Sequence, residues 1–153
     1  MDTTINPASV QPPHDAMVGQ ELARQCGITT DDLNAVAHVA HTRLAAGAVE
    51  EAQKIYAILV VLEPAQTGYQ VGLADAAMLA GNADLALQAA AAIISIAPAD
   101  PRGYFLSGRA CLALGMLDEA REDLSEAIDL ARTGRDSAMF EKANAMLTRI
   151  PTG

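Results

Sequence analysis

The sequence of 153 residues contains no tryptophan, three tyrosines and two phenylalanines. So few rings leave little to fill the wide gap between packed sheets, and alanine occupies 32 positions instead. Alanine is the strongest helix former and has no bulk, so an apolar share of 51% built this way predicts an all-helical chain with close helix contacts.

Positive charge is also scarce. Ten basic residues, only two of them lysine, face 19 acidic ones, for a net charge of −9. Nucleic-acid binding depends on clustered cations, so that class of partner is excluded. The longest apolar runs, residues 55–62 and 89–94, are far shorter than the ~20 residues that span a bilayer. The opening residues MDTTINPASVQPPHD have neither a basic start nor an apolar core, and do not read as a secretory signal. Cys26 and Cys111 lack metal-ligand spacing. They read as two small buried thiols in a reducing cytoplasm, with a disulfide as the alternative.

Catalytic signatures are missing as well. There is no nucleophile elbow, phosphate-binding loop, dinucleotide fingerprint or HExxH pair, so no catalytic residue is assigned and no enzyme activity is expected. His38 and His41 stand three apart, on one helix face, but no third ligand lies near them. Neither a metal nor any other cofactor is expected.

What the sequence does contain is a period. Gly47, Gly81 and Gly115 are spaced 34 residues apart, and Ala52, Ala86 and Ala120 follow each glycine by five. Ala40, Ala74 and Gly108 precede each by seven, and Pro64 and Pro98 close the first two units at one phase, where the third has Arg132. This period and these small-residue columns resemble the tetratricopeptide repeat, a helix–turn–helix unit. Glycine at the turn takes a positive φ, which stops one helix and lets the next double back. The small residues sit where paired helices approach most closely, and Asp100-Pro101 supplies an N-cap and a first-turn proline.

Three repeats follow, over residues 33–66, 67–100 and 101–134, within one domain spanning 14–150. The expected fold is all-α, a right-handed superhelix of three helix–turn–helix repeats with an N-terminal helix and a C-terminal capping helix. A stack of helix pairs exposes apolar faces at both ends, which need covers. Met139, Ala143, Met146 and Ile150 form the apolar stripe of a capping helix over 136–149, stopped by Pro151. Residues 1–13 are expected to be disordered. Residues 14–26 form a helix exposing Met17, Val18, Leu22 and Cys26, of which Met17, Val18 and Leu22 are candidates for a homodimer contact.

The resemblance to the repeat family also implies a binding surface. Its first helices line the concave side, and the positions facing the groove include Asn34, Ala37, His41 and Leu44 in the first unit. The second unit contributes Val71, Asp75 and Met78, and the third Arg102, Phe105, Arg109 and Leu112. This surface is mainly apolar and suits an extended apolar segment; the alternative is that Val71, Met78 and Phe105 simply pack against neighbouring helices. His41, Asp75 and Arg109 share the ninth place of their repeats. Arg109 is placed either to hold a ligand carbonyl or carboxylate, or to pair with Asp75. Repeat domains that clamp a C-terminal carboxylate carry Lys and Asn where this chain has Ala37 and His41, which excludes that partner.

The run DDLNAVAHVAHTRLAAGAVEEAQKIYAILVVLEPAQTGYQVGLADAAMLAGNADLA, with DPRGYFLSGRACLALGMLDEARE in the third unit, resembles the class II translocator chaperones of bacterial type III secretion. ILVVLEP, an aromatic and VGLADA, and then GRACLALG, match more closely than the bare repeat demands. The resemblance implies a non-enzymatic cytoplasmic chaperone of hydrophobic translocators, holding a short Pro-containing segment in the groove and often dimeric through its N-terminal region. Aromatics common in the family's first-repeat groove are replaced here by Ala37, His41 and Leu44, so shallower or differently shaped pockets are expected there. The other function considered is a scaffold or adaptor in assembly of a secretion, pilus or envelope complex.

Overall fold

A computed structural model describes residues 14–151, with side chains from residue 17 onward. The expected disorder of residues 1–13 falls outside the described residues. Among the described residues there are eight helices and no strand. They are α1 (His14–Gln25), α2 (Thr30–Ala45), α3 (Val49–Leu62), α4 (Thr67–Leu79), α5 (Ala83–Ile96), α6 (Pro101–Ala113), α7 (Leu117–Thr133) and α8 (Ser137–Leu147).

Local chemistry starts and stops these helices. Thr29 and Asp32 form a reciprocal capping box at the start of α2, and Asn82, Asp100 and Asp136 cap α5, α6 and α8 with side-chain oxygens. Acidic residues occupy the first turns of α3 and α7, where they complement the helix dipole. The periodic glycines at 47, 81 and 115 have φ of 84°, 76° and 77°, and each is followed by an amide that returns to a carbonyl of the preceding helix. At the end of α7 the positive φ falls on Arg135 (58°) rather than on Gly134, which keeps a helical φ of −78°. The same turn is therefore made there with arginine in the left-handed position.

Each helix from α2 to α8 packs against the next, giving the helix pairs α2–α3, α4–α5 and α6–α7. Beyond these neighbours, α2 meets α4, α4 meets α6 and α6 meets α8, whereas α3 and α5 do not meet, nor do α5 and α7. A stack whose first helices touch while its second helices splay bends toward the first set. The inner layer is therefore α2, α4, α6 and α8, and the outer layer α3, α5 and α7.

The small-residue columns lie where the layers meet. Ala40, Ala52, Ala74, Ala86 and Ala120 are fully buried. A Cβ built at Gly108 would lie 2.8 Å from the Leu124 side chain, and one at Gly72 would clash with the Tyr56 ring. The largest fully buried side chains, Leu59, Ile93 and Leu124, come from the outer helices. Two core clusters result, one across α2–α6 and one across α6–α8, with Phe105 and Leu87 packed against both.

The ends of the stack depart from expectation. The C-terminal helix is shorter than 136–149, and Ile150 is buried just beyond its last turn. At the N-terminus, α1 packs on α3 and makes no comparable contact with α2. Its buried face is Gly19 and Ala23, and Gly19 lies so close to the Val61 backbone that any Cβ would collide with the carbonyl. Small residues face inward because two backbones meet there, so the larger residues of α1 face outward. Cys26 is exposed, contrary to its reading as a buried thiol and in keeping with its place on the outward stripe with Met17, Val18 and Leu22, because α1 turns its small residues toward α3. Cys111 is buried, and burial, then the charge of Asp123, pushes its thiol upward.

Candidate functional site

The inner layer carries a cleft of about 230 Å³ between α4, α6 and α8. Val71 and Asp75 enter it from α4, and Arg102, Phe105, Leu106 and Arg109 from α6. Five of the eleven residues expected on the groove thus converge on one concavity. From α8 come Met139 and Lys142, which the repeat register did not assign to the groove. The signal for Met139 was present, since it opens the apolar stripe of the last helix. Lys142 follows it by three and so shares its helix face.

The polar groups of the cleft are held by their neighbours. Arg109 Nη1 donates to Asp75 Oδ1 at 2.8 Å, and its guanidinium lies 5.8 Å from the Phe105 ring centroid. The alternative in which Asp75 and Arg109 pair is the arrangement present. Arg102 is held by Asp100 at 2.6 Å, and its Nη2 reaches the Thr67 hydroxyl across to α4 at 3.5 Å. Burial acts to raise the Asp100 carboxyl, but hydrogen bonds from the Arg102 side chain and backbone outweigh it and hold the group below the usual range.

Val71, Met78 and Phe105 are half-buried and pack against the core, while Val71 and Phe105 also present surface to the cleft. Met78 does not line the cleft.

The other expected groove residues do not line this cleft. Asn34 is exposed on α2 and accepts a hydrogen bond from the Tyr69 hydroxyl at 2.8 Å, tying α2 to α4. Ala37 and Leu44 are half-buried against the first core cluster, and the Ala37 carbonyl faces the Tyr56 hydroxyl at 3.5 Å. His41 is exposed, and Leu112 packs with the second cluster. Among the described residues no three His, Cys, Asp or Glu converge as metal ligands would. The thiol of Cys111 lies beside a short bond from the Ser107 hydroxyl to Asp123, 2.6 Å, in the α6–α7 contact and away from the cleft.

No protein-family model matches the sequence, and no curated protein does. Solved structures do. PcrH of Pseudomonas aeruginosa is 28% identical with a TM-score of 0.75, over 80% of this chain and 93% of that one. The type III secretion translocator chaperone SycD of Yersinia enterocolitica is 25% identical with a TM-score of 0.78, over 84% of this chain and 96% of that one. A type III secretion complex from Aeromonas hydrophila matches at 25% identity and a TM-score of 0.79, over 88% and 90%.

The fold and architecture of the chain are those of the type III secretion translocator chaperones. The match runs over nearly the whole length of each of these proteins, so it describes the complete helix stack and not one shared hairpin. PcrH has been solved with the chaperone-binding regions of PopD and PopB, and SycD with a peptide of the translocator YopD. No helix among the described residues of this translocator-chaperone fold is long and apolar enough to cross a membrane.

Proposed function

We propose that this protein is a cytoplasmic, non-enzymatic chaperone that holds a hydrophobic type III secretion translocator through an extended segment seated in the inner-layer groove. The observation that carries the reading is the cleft between α4, α6 and α8, apolar along Val71, Phe105, Leu106 and Met139 and lined with hydrogen-bond donors. An extended segment leaves its backbone carbonyls unpaired, and donors set among apolar walls satisfy them while its side chains are buried. PcrH and SycD bind translocator segments on the same architecture, which supports the reading. The groove then runs from Asn34, Ala37, His41 and Leu44 through Val71, Asp75 and Met78 to Arg102, Phe105, Arg109 and Leu112, with the cleft at its α8 end.

A second copy of the chain is the further partner. Met17, Val18 and Leu22 on α1 are 51%, 55% and 55% exposed, a cost in water that pairing of two α1 helices removes. SycD is known in alternative dimers, which fits such a use.

The test of the groove is co-expression with a hydrophobic translocator, followed by co-purification. Val71→Glu and Met139→Glu, on different walls, are expected to abolish capture while the circular dichroism spectrum stays helical. Capture at the wild-type level by both folded variants excludes the cleft as the binding site.

A further inference from the structure

The cleft differs in charge from the rest of the molecule. Its lining residues include three cations, Arg102, Arg109 and Lys142, and one anion, Asp75, on a chain whose net charge is −9. Two of the cations are already neutralised internally, Arg109 by Asp75 and Arg102 by Asp100. Lys142 makes no ion pair and no side-chain hydrogen bond among the described residues, and it shares its helix face with the apolar Met139. Glu141, its neighbour in sequence, does not line the cleft.

Resting on the peptide-binding reading above, we infer that the segment seated in this cleft carries a carboxylate side chain beside its apolar residues, and that Lys142 receives it. A segment laid over Met139 and Phe105 strips water from the neighbouring ammonium. A purely apolar occupant leaves that cation without a partner, whereas an Asp or Glu at the matching register replaces the lost water with a charge-assisted bond. Arg109 and Arg102 supply no equivalent, because their own carboxylates satisfy them first. The net acidic charge of the body disfavours carboxylates overall and makes the preference local to this register, so Lys142 acts as a specificity-determining contact.

Fluorescence anisotropy with labelled ten-residue peptides tests this. The series uses one apolar, proline-containing sequence with a single Asp moved through each interior position, and matching Asn and Lys series. One register is expected at which the Asp peptide binds about fivefold more tightly than its Asn counterpart, with the Lys peptide weakest. The preference is expected to vanish in Lys142→Met and to favour the Lys peptide in Lys142→Glu, both at an exposed position where helicity is unchanged. An Asp preference that survives Lys142→Met overturns the inference. So does peptide binding that Val71→Glu abolishes but that shows no Asp preference, and that outcome leaves the groove reading standing. Failure of every peptide to bind overturns both.

Discussion

Arg109 and Asp75 are 34 positions apart in the chain and 2.8 Å apart in space. Their separation equals the repeat period, so the two residues occupy one place in successive units and face each other because the inner helices stack in register. The Tyr69–Asn34 and Arg102–Thr67 bonds, each spanning 35 positions, link the same layer. Side-chain bonds of this kind lock neighbouring units together at the groove floor.

The Arg109–Asp75 pair is partly exposed, with side chains at 25% and 42%, and water screens it. A double-mutant cycle with Arg109→Ala and Asp75→Ala is expected to give a coupling of about 0.5 kcal/mol. Arg109→Ala alone should cost more than Asp75→Ala, because the guanidinium also rests on Phe105. Urea denaturation measures all four terms, and equal single-mutant costs contradict the Phe105 contribution.

Two glycines of α4 are expected to respond in opposite directions to the same substitution. Gly72 is buried against the Tyr56 ring, and Gly72→Ala should destabilise the fold by about 2 kcal/mol. Gly68 is exposed, with only the Gln66 side chain as near as 4.0 Å, and Gly68→Ala should stabilise by about 0.5 kcal/mol. Thermal melts distinguish the two, and a stabilising Gly72→Ala contradicts the tight packing described.

Asp100 makes stability depend on pH. Its carboxyl is held below its ordinary value in the folded chain, so its contribution is present above the unfolded value, near 3.9, and is lost as pH falls through the lowered folded value. Asp100→Asn keeps an N-cap oxygen but loses the ionic bonds to Arg102. The variant should be less stable by about 1 kcal/mol at pH 7, with the gap closing in acid. A gap independent of pH assigns the effect to something other than the charge.

Exposed apolar residues on α1 lead to a prediction about mass. Val18→Glu and Leu22→Glu should shift the chain from dimer to monomer in light scattering with its helix content unchanged, since neither side chain belongs to the buried face of α1. A wild-type chain that stays monomeric at high concentration removes this surface as a dimer contact.

The period of 34, read from glycine, alanine and proline columns, already contains the helix pairs and their turns, because those features depend on residues close together in sequence. A positive φ at Gly47, Gly81 and Gly115 is a local requirement, and so is the crowding that keeps Ala40, Ala74 and Gly108 small. The groove was legible only as a set of register positions. Which of them converge depends on how helices from different units lean on one another, and periodicity carries no information about that lean. Only the packing of α8 beside α6 places Met139 and Lys142 opposite Val71 and Asp75. The outward stripe of Met17, Val18 and Leu22 on α1 was legible in the sequence and is exposed, but the surface on which α1 docks was not. The tertiary structure decides that Gly19 and Ala23 are the buried face, because close approach of α1 to the α3 backbone leaves room there for nothing larger.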